Sequence, residues 1–367
     1  MPRAAVLYDI ATPLVVEDVV LGDPRAGEIE VTIAASGVCH SDLSVQRGVV
    51  AATTPIVLGH EAAGIVTRLG PGVTAVSEGD HVVLSWVPSC GTCYWCARGE
   101  PYLCATGQQA ADAGTLLDGT TRIHTASGDV HQMSSLGTFA ERAVVPAECA
   151  VRVPTDVALD IAALVGCAVL TGVGAATRTA TIRDGDTVVV FGCGGVGLNV
   201  VQGARLAGAG RIVAVDTSAV KLALAARFGA DECVDATTND PVDAVRTLTD
   251  GRGADVAFEV IGLEATIQQA LRAVRRGGET VLVGLPGRDT MLSMRALGTV
   301  YGARTVRGSW YGSSRPQQDV PELLALHAAG KLELEPLISA TVGLDDVNHA
   351  LDDLAAGVGT RSVIRFP

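Results

Sequence analysis

The spacing of apolar residues predicts two kinds of structure in the two halves of the chain. In the first half, segments 28–34, 63–69 and 81–86 alternate apolar with polar residues or run apolar. Turn sequences such as Gly70-Pro71-Gly72 separate them. Short strands between tight turns are typical of a small, partly open β-barrel, which we predict here.

From about residue 169, apolar strands alternate with amphipathic helices. Strands are predicted at 187–191, 211–215, 255–260 and 279–283, with helices at 196–207, 219–228 and 265–274. This alternation predicts a parallel, doubly wound sheet, and therefore an α/β protein. From about Ser309 the pattern becomes mixed, with a helix near 320–329 and a closing strand at 362–366. We predict domains at 1–168 and 169–308, followed by a C-terminal segment at 309–367.

Two further segments bear on location. Residues 105–135 are rich in Gly, Thr, Ser and Asp and predict an irregular surface lobe. Residues 161–176 form the most apolar window, but three small or polar residues interrupt it and it is too short to span a bilayer, so we expect a buried helix. The N-terminus shows no basic segment followed by a long apolar run, so no signal peptide is expected.

Composition excludes some partners. The net charge of −13 argues against nucleic acid and anionic membrane surfaces, because both require a basic face. At 367 residues the chain is long enough for two domains with a large core. Nine cysteines without an export signal indicate reduced thiols and a cytoplasmic protein.

Four of these cysteines lie within fifteen residues, at Cys90, Cys93, Cys96 and Cys104. Thiolates two residues apart on a tight loop can bind one tetrahedral ion, and a fourth thiolate completes the shell. A site with four protein ligands has no open position, so the predicted zinc is structural. Two disulfides are the alternative.

A glycine loop follows the strand at 187–191 and opens a helix, in the sequence Gly192-Cys193-Gly194-Gly195-Val196-Gly197. Gly192 permits a tight turn, Gly194 lets backbone approach a pyrophosphate, and Gly197 allows close packing of helix on strand. The first residues of the helix, Gly195 and Val196, offer free N–H groups to phosphates. An ordinary strand-to-helix turn is the alternative.

Asp216 ends the next strand, where a carboxylate can accept both hydroxyls of an adenosine ribose. Its charge would repel a 2′-phosphate, so NAD is favoured over NADP. Lys221, one helical turn further on, is a candidate for the same ribose. A surface carboxylate and a solvated lysine are the alternatives.

Cys39, His60 and Cys167 are candidate ligands of a second zinc ion. Two thiolates and one imidazole leave a fourth position open, as hydride-transfer zinc enzymes need. Each residue taken singly is more typical of a buried core position, and their spacing alone does not join them.

The motifs GVCHSD, GHEAAG, the four-cysteine loop, GCAVLTGVGA and GCGGVG occur in the order found in zinc-dependent medium-chain alcohol dehydrogenases. The chain resembles this family, within the medium-chain dehydrogenase/reductase superfamily, along essentially its whole length. The resemblance implies a GroES-like catalytic barrel, a Rossmann coenzyme domain and a C-terminal segment that returns to the barrel. It also implies that Cys39, His60 and Cys167 bind a catalytic zinc ion, which gives two zinc ions per chain.

The resemblance also implies roles for neighbouring residues. Ser41 accepts the alcohol proton, Asp42 braces the histidine ligand, and Glu61 lies close to the metal. His40 stands where many relatives have a phosphate-contacting arginine. Thr171 and Arg361 are implied cofactor contacts, Arg361 at the pyrophosphate, although a surface arginine is the alternative. Ser44 replaces a histidine of the family's proton relay, so we expect water to complete proton release, and His40 in that role is the alternative.

The substrate pocket is predicted from Trp86, Val169 and Leu285, with Leu116 and Leu117 as further candidates. A buried core tryptophan is the alternative for Trp86. We therefore predict NAD-dependent, zinc-dependent oxidation of a primary or secondary alcohol with an apolar or aromatic group. The nearest alternative is a formaldehyde dehydrogenase that depends on glutathione or mycothiol. That branch uses a basic residue shortly after the last structural cysteine, and residues 105–121 contain none.

A non-catalytic NAD-binding protein is a third interpretation, which the intact ligand set argues against. The lobe at 105–135 resembles that of dimeric family members, so a homodimer is expected and a homotetramer is the alternative.

Overall fold

The computed structural model describes residues 1–367, which form two compact units. The first comprises Met1–Cys167 and Arg315–Pro367, and the second comprises Ala168–Ser314. The second unit ends later than the predicted position 308. The reason is local, because the hydroxyl of Thr179 shares hydrogen bonds with those of Ser309 (3.0 Å) and Ser313 (2.8 Å) inside this unit.

Nineteen strands run through the chain. They are β1 (Arg3–Leu7), β2 (Val15–Asp18), β3 (Val20–Leu21), β4 (Glu28–Val38), β5 (Ile56–Val57), β6 (Glu61–Leu69), β7 (His81–Leu84), β8 (Ile123–Thr125), β9 (Gly128–Gln132), β10 (Arg142–Pro146), β11 (Ala150–Arg152), β12 (Thr187–Phe191), β13 (Arg211–Asp216), β14 (Glu232–Asp235), β15 (Ala254–Glu259), β16 (Val274–Leu282), β17 (Thr305–Gly308), β18 (Ala340–Val342) and β19 (Ser362–Arg365).

Twelve α-helices accompany them. They are α1 (His40–Gln46), α2 (Tyr94–Ala97), α3 (Ala105–Ala113), α4 (Leu159–Leu164), α5 (Leu170–Gly174), α6 (Gly195–Leu206), α7 (Ala219–Arg227), α8 (Pro241–Leu248), α9 (Glu264–Ala273), α10 (Ala296–Gly302), α11 (Pro316–Ala328) and α12 (Val347–Ala355). Short 3₁₀ turns lie at Pro101–Leu103, Met133–Ser135, Ala147–Cys149, Tyr311–Ser313, Glu335–Leu337 and Leu344–Asp346.

The first unit is built on two sheets. One has the strand order β2-β1-β5-β9-β8-β3, and the other has the order β11-β7-β6-β4-β19-β18, with β10 also paired to β4. The long strand β4 pairs antiparallel with β6, β10 and β19. The two sheets enclose one apolar core that includes Val31, Ile33 and Phe139. The predicted partly open barrel is confirmed, and β4 leads directly into the candidate ligand Cys39.

The segment at 105–135 is more regular than the sequence pattern indicated. It contains α3, β8 and β9, and its side chains Leu116, Ile123 and Val130 are fully buried. Arg122, only 2% exposed, pairs with Glu28 and Asp118 and so ties this lobe to β4. Its elements are short and rich in small residues, which is why no periodicity was visible.

The second unit contains a six-stranded parallel sheet with the order β14-β13-β12-β15-β16-β17. The order reverses at β12, and ligands of such sheets bind at the carboxyl ends of the strands on either side of that point. The predicted doubly wound fold is confirmed. Strands β14 and β17 and helices α8 and α10 were not predicted, because polar or glycine residues break their apolar patterns.

One helical stretch, Leu159–Thr179, is long and apolar enough by composition to cross a membrane. It is longer than the predicted 161–176, because π-helical turns at Val165–Val169 and Ala175–Thr179 continue α4 and α5 past the glycines. In its most apolar window 83% of the residues are buried within the protein, as in a core helix, so its composition is weak support for a membrane span.

Candidate metal centres and cofactor site

Strand pairing brings Cys39 and His60 together. Gly37 near the end of β4 lies opposite Glu61 at the start of β6, so the residues that flank this pair emerge at the same edge of the sheet. Cys39 then begins the turn into α1, while His60 precedes β6. Gly37 is required at this pair, because a Cβ there would overlap the Glu61 carboxylate.

Cys167 reaches the same place from a helix. Helix α4 packs on β4 and β6, and Cys167 lies in the π-helical turn that follows α4. Gly166 permits the close approach, because a Cβ there would lie 2.8 Å from the carbonyl oxygen of Leu84. π-Helical turns occur frequently at functional sites, since they redirect side chains.

The ligand atoms of Cys39, His60 and Cys167 lie within 4.8 Å of one another, and all three residues are buried. Nδ1 of His60 hydrogen-bonds to Asp42, but its buried Nε2 has no hydrogen-bond partner. A buried ring nitrogen without a hydrogen bond costs folding free energy unless another group, such as a metal ion, binds it. Two thiols and this Nε2 fit zinc with an open fourth position.

Asp42 ties the ligand-bearing segments to each other. One carboxylate oxygen accepts the N–H of Cys39 (2.8 Å), and the other accepts the N–H of Gly59 (3.0 Å) and meets Nδ1 of His60 (3.0 Å). Burial alone would lower the pKa of His60, but Asp42 raises it well above its ordinary value. A hydrogen bond from the Cys167 thiol holds the pKa of Cys39 well below its ordinary value.

The other residues predicted for this centre lie around it. The Ser41 hydroxyl is 3.9 Å from the Cys39 sulfur, and His40 is exposed at the start of α1. The Trp86 ring stands edge-on to the His60 ring, with centroids 6.4 Å apart, and also packs against the core of the first unit.

Arg361 lies beside the candidate metal centre. Its guanidinium is buried, with Nε 3.5 Å from the Glu61 carboxylate and Nη1 donating to the carbonyl oxygen of Val38 (2.9 Å). The alternative of a surface arginine is wrong, and its predicted contact with the cofactor pyrophosphate stays a prediction. Strand β19 places it here by pairing with the end of β4, a long-range contact that the local sequence does not reveal.

The four clustered cysteines converge in the loop around α2, with sulfurs within 4.8 Å of one another. Backbone N–H groups point at the sulfurs, from Cys93 to Cys90 (3.4 Å) and from Gly107 to Cys104 (3.4 Å). N–H groups of Thr92 and Cys93 lower the pKa of Cys90 to about 5, which favours a thiolate. All nine cysteines are free, so the disulfide alternative is wrong and the geometry fits a closed four-thiolate zinc shell.

The glycine loop in the second unit has the geometry its spacing predicted. Gly192 has φ +96°, a Cβ at Gly197 would overlap the carbonyl oxygen of Gly192, and a Cβ at Gly194 would meet nothing within 4 Å. The space beside Gly194 is therefore open to a ligand. Helix α6 begins at Gly195 without a side-chain cap, which leaves its first N–H groups available to an anion.

Asp216 stands beside this loop at the end of β13. Its carboxylate accepts the N–H groups of Cys193 (2.7 Å) and Ser218 (2.9 Å), which fix it in place. Lys221 lies in the first turn of α7, and Thr171 is half-buried in α5.

Sequence reasoning missed Glu259, a fully buried carboxylate at the carboxyl end of β15. It accepts the N–H groups of Ile261 (3.0 Å) and Gly262 (2.9 Å) and so fixes the loop that faces Gly192. Burial raises the pKa of Glu259. An acidic residue that ends an apolar strand was the available signal.

The predicted pocket residues differ in exposure. Val169 and Leu116 are both fully buried, and their place in a substrate pocket stays a prediction. Leu285 is half-exposed in the second unit.

A barrel with an open and a closed cluster of zinc-type ligands, in a chain that also carries a nucleotide-binding sheet, defines a zinc-dependent dehydrogenase. Comparison with known proteins agrees. Residues 25–155 match the alcohol dehydrogenase GroES-like domain, and residues 195–329 match the zinc-binding dehydrogenase family. The chain belongs to the zinc-dependent medium-chain alcohol dehydrogenases.

Individual relatives span the whole chain. An NDMA-dependent alcohol dehydrogenase of Amycolatopsis methanolica is 40% identical over 99% of this chain and 98% of its own length. An S-(hydroxymethyl)glutathione dehydrogenase of Synechocystis sp. is 36% identical over 99% of both chains. The crystal structure of benzyl alcohol dehydrogenase from Acinetobacter calcoaceticus superposes with a TM-score of 0.94 at 30% identity, covering 100% of this chain and 99% of that one.

Proposed function

We propose that this alcohol dehydrogenase uses NAD and holds two zinc ions per chain, one catalytic and one structural. Its proposed substrates are primary or secondary alcohols with an apolar or aromatic group, converted reversibly to aldehydes or ketones. The observation that carries the proposal is the buried convergence of Cys39, His60 and Cys167 with Nε2 of His60 unpaired.

Each residue around this centre has a chemical role. When bound, zinc supplies a Lewis acid that lowers the pKa of the alcohol, and NAD supplies the hydride acceptor. Asp42 keeps the His60 proton on Nδ1, so that Nε2 faces the metal. The Ser41 hydroxyl, next to the ligands, accepts the alcohol proton. Ser44 has no pKa near neutrality, so the proton then passes to water.

The preference for NAD rests on Asp216. Its carboxylate is held beside the glycine loop by two backbone N–H groups, at the end of the strand where a ribose binds in such folds. A fixed negative charge there repels the 2′-phosphate of NADP. Because one relative is NDMA-dependent, NDMA belongs among the electron acceptors that should be assayed.

The preference for apolar or aromatic alcohols rests on Trp86, whose ring lies edge-on to His60. A large aromatic ring beside a candidate metal ligand favours a substrate with an apolar or aromatic surface. The similarity to benzyl alcohol dehydrogenase supports the same class.

The second candidate is a formaldehyde dehydrogenase that depends on glutathione or mycothiol, which the 36% identical Synechocystis relative favours. The charges of the lobe argue against it. The first basic residue after Cys104 is Arg122, which is buried and paired with Glu28 and Asp118, so it is not available to a thiol carboxylate.

We propose a homodimer as the working form. Strand β17 is the edge of the parallel sheet, and the neighbouring helix α10 exposes Leu297, Val300 and Tyr301. Edge strands and exposed apolar faces are commonly covered by a partner, and a second copy would cover both. The cytoplasm is the proposed location, because thiolate ligands need a reducing compartment. Sedimentation equilibrium should give twice the chain mass.

The test is a screen for NADH formation with aliphatic, aromatic and terpenoid alcohols, and with formaldehyde plus glutathione or mycothiol. We expect Cys167→Ser to lose one zinc ion and activity while keeping its circular dichroism spectrum. Ser41→Ala should keep both metals and slow oxidation on the order of 10²–10⁴-fold. Activity that survives Cys167→Ser, or that appears only with a thiol and formaldehyde, would contradict the proposal.

A further inference from the structure

The turn that leads into the last strand carries Arg361 to the metal centre. Gly359 has φ +68°, and Arg361 directly precedes β19. In that strand Ser362 lies opposite Val38, the last residue of β4, and Nη1 of Arg361 donates to the carbonyl oxygen of Val38. The C-terminal strand therefore brings a positive charge to the residue before the ligand Cys39.

One side chain organises this turn. The Ser339 hydroxyl accepts the N–H of Thr360 (3.0 Å) and that of Arg361 (3.2 Å), and it lies 3.1 Å from the carbonyl oxygen of Arg361, to which it donates. The backbone N–H of Ser339 donates to the same carbonyl oxygen (2.9 Å). A Cβ at position 359 would overlap this hydroxyl, so the turn closes directly on it.

We propose that Ser339 is a positioning residue for the metal centre, because its hydroxyl fixes the turn from which Arg361 enters that centre. This inference rests on the proposal that Cys39, His60 and Cys167 hold zinc. It assigns a role to a residue in the C-terminal segment, far from every ligand in sequence.

Arg361 must be held in place because it pairs with a buried carboxylate. Glu61 is fully buried beside the ligands, and a buried carboxylate is costly unless it is paired. Arg361 is its partner, at 3.5 Å. A guanidinium that shifts when the turn loosens loses its ion pair with Glu61 and its hydrogen bond to the carbonyl oxygen of Val38. Because Val38 directly precedes Cys39, loss of that hydrogen bond disturbs the position of Cys39.

Zinc release to a chromophoric chelator measures this effect without using activity. Release from wild-type protein should show a catalytic and a structural phase, and Cys167→Ser identifies the catalytic one because it lacks that phase. We expect Ser339→Ala to release the catalytic zinc about 10-fold faster, at the low end of what loss of an outer partner of a metal ligand costs. The structural phase should not change.

Two further variants separate positioning from general stability. Ser339→Thr keeps the hydroxyl and should return release towards the wild-type rate. In the other unit, the Thr249 hydroxyl likewise donates to the carbonyl oxygen of Val245 and accepts the N–H of Gly253. Thr249→Val removes both hydrogen bonds and should lower the free energy of unfolding without changing the rate of zinc release.

Three results would overturn the inference. The first is release of the catalytic zinc from Ser339→Ala at the wild-type rate. The second is release from Ser339→Thr as fast as from Ser339→Ala. The third is an acceleration of release by Thr249→Val equal to that by Ser339→Ala. A wild-type protein without any phase that depends on Cys167 would instead overturn the proposed metal centre itself, so the two failures are distinguishable.

Discussion

Replacing Asp42 tests how the catalytic metal centre is held together. Asn has nearly the same shape but only one accepting oxygen. In the wild-type protein the N–H of Cys39 donates to one carboxylate oxygen of Asp42 at 2.8 Å. If the single oxygen of Asn stays with Gly59 and His60, the amide NH₂ of the variant faces that N–H instead. One buried donor is left without a partner, which costs about 1–3 kcal/mol.

We therefore expect Asp42→Asn to lower the free energy of unfolding by about 1–3 kcal/mol. Zinc affinity at this centre should fall by roughly 10- to 100-fold, because the histidine ligand loses a charged partner. Asp42→Ala abandons all three donors and should cost about 3–5 kcal/mol, as breaking a buried charged pair does. Urea unfolding with and without zinc gives the stability, and competition with a chelator gives the affinity.

The matched control is Glu259→Gln in the second unit. Glu259 is also fully buried and accepts backbone N–H groups, from Ile261 and Gly262, so its replacement should cost comparable stability and leave zinc affinity unchanged. The reasoning is refuted if Asp42→Ala loses stability but binds zinc as wild type does. Equal loss of zinc from Glu259→Gln would refute it as well.

Three further outcomes are expected. Cys93→Ser should lose the structural zinc and lower the thermal midpoint while keeping the catalytic zinc, as elemental analysis and thermal unfolding would show. Burial alone would raise the pKa of Asp118, but Thr120 and Arg122 hold it below its ordinary value. Asp118 therefore stabilises the fold above about pH 4, and this is lost as the pH falls through the folded pKa. Asp118→Asn should be less stable than wild type in urea at pH 7, and the two should converge in strong acid. Asp216→Asn should weaken NAD binding about 10-fold and raise the ratio of kcat/KM for NADP to that for NAD, since it removes the repelling charge.

Local chemistry was predictable from the sequence. The four clustered cysteines and the glycine loop lie within short segments, so their spacing alone constrains their geometry, and the structure places them accordingly. Strand–helix alternation likewise predicted the parallel sheet, because periodicity is a local property. The lobe at 105–135 was predicted as irregular, and its elements α3, β8 and β9 were missed because they are too short for a clear period.

Long-range placement was not predictable in this way. Cys39, His60 and Cys167 were joined only by resemblance to a family. The contact between Arg361 and Glu61 depends on the pairing of β19 with β4, for which no local signal exists. Glu259 was missed for a related reason, since its function depends on backbone N–H groups of a loop whose course the sequence does not reveal.

Strand β4 connects these long-range placements. Its pairing with β6 brings His60 to Cys39, and its pairing with β19 brings Arg361 to the same place. Helix α4, which packs on β4, leads into the turn that carries Cys167. An ion bound to ligands from these segments stabilises the pairing that assembled them, because zinc binds the folded arrangement and not separated strands. The coupling is reciprocal, so any substitution that loosens the β4 pairs weakens the metal site. The role proposed for Ser339 follows from the same coupling, because its hydroxyl holds the turn before β19 although no atom of Ser339 is among the proposed ligands.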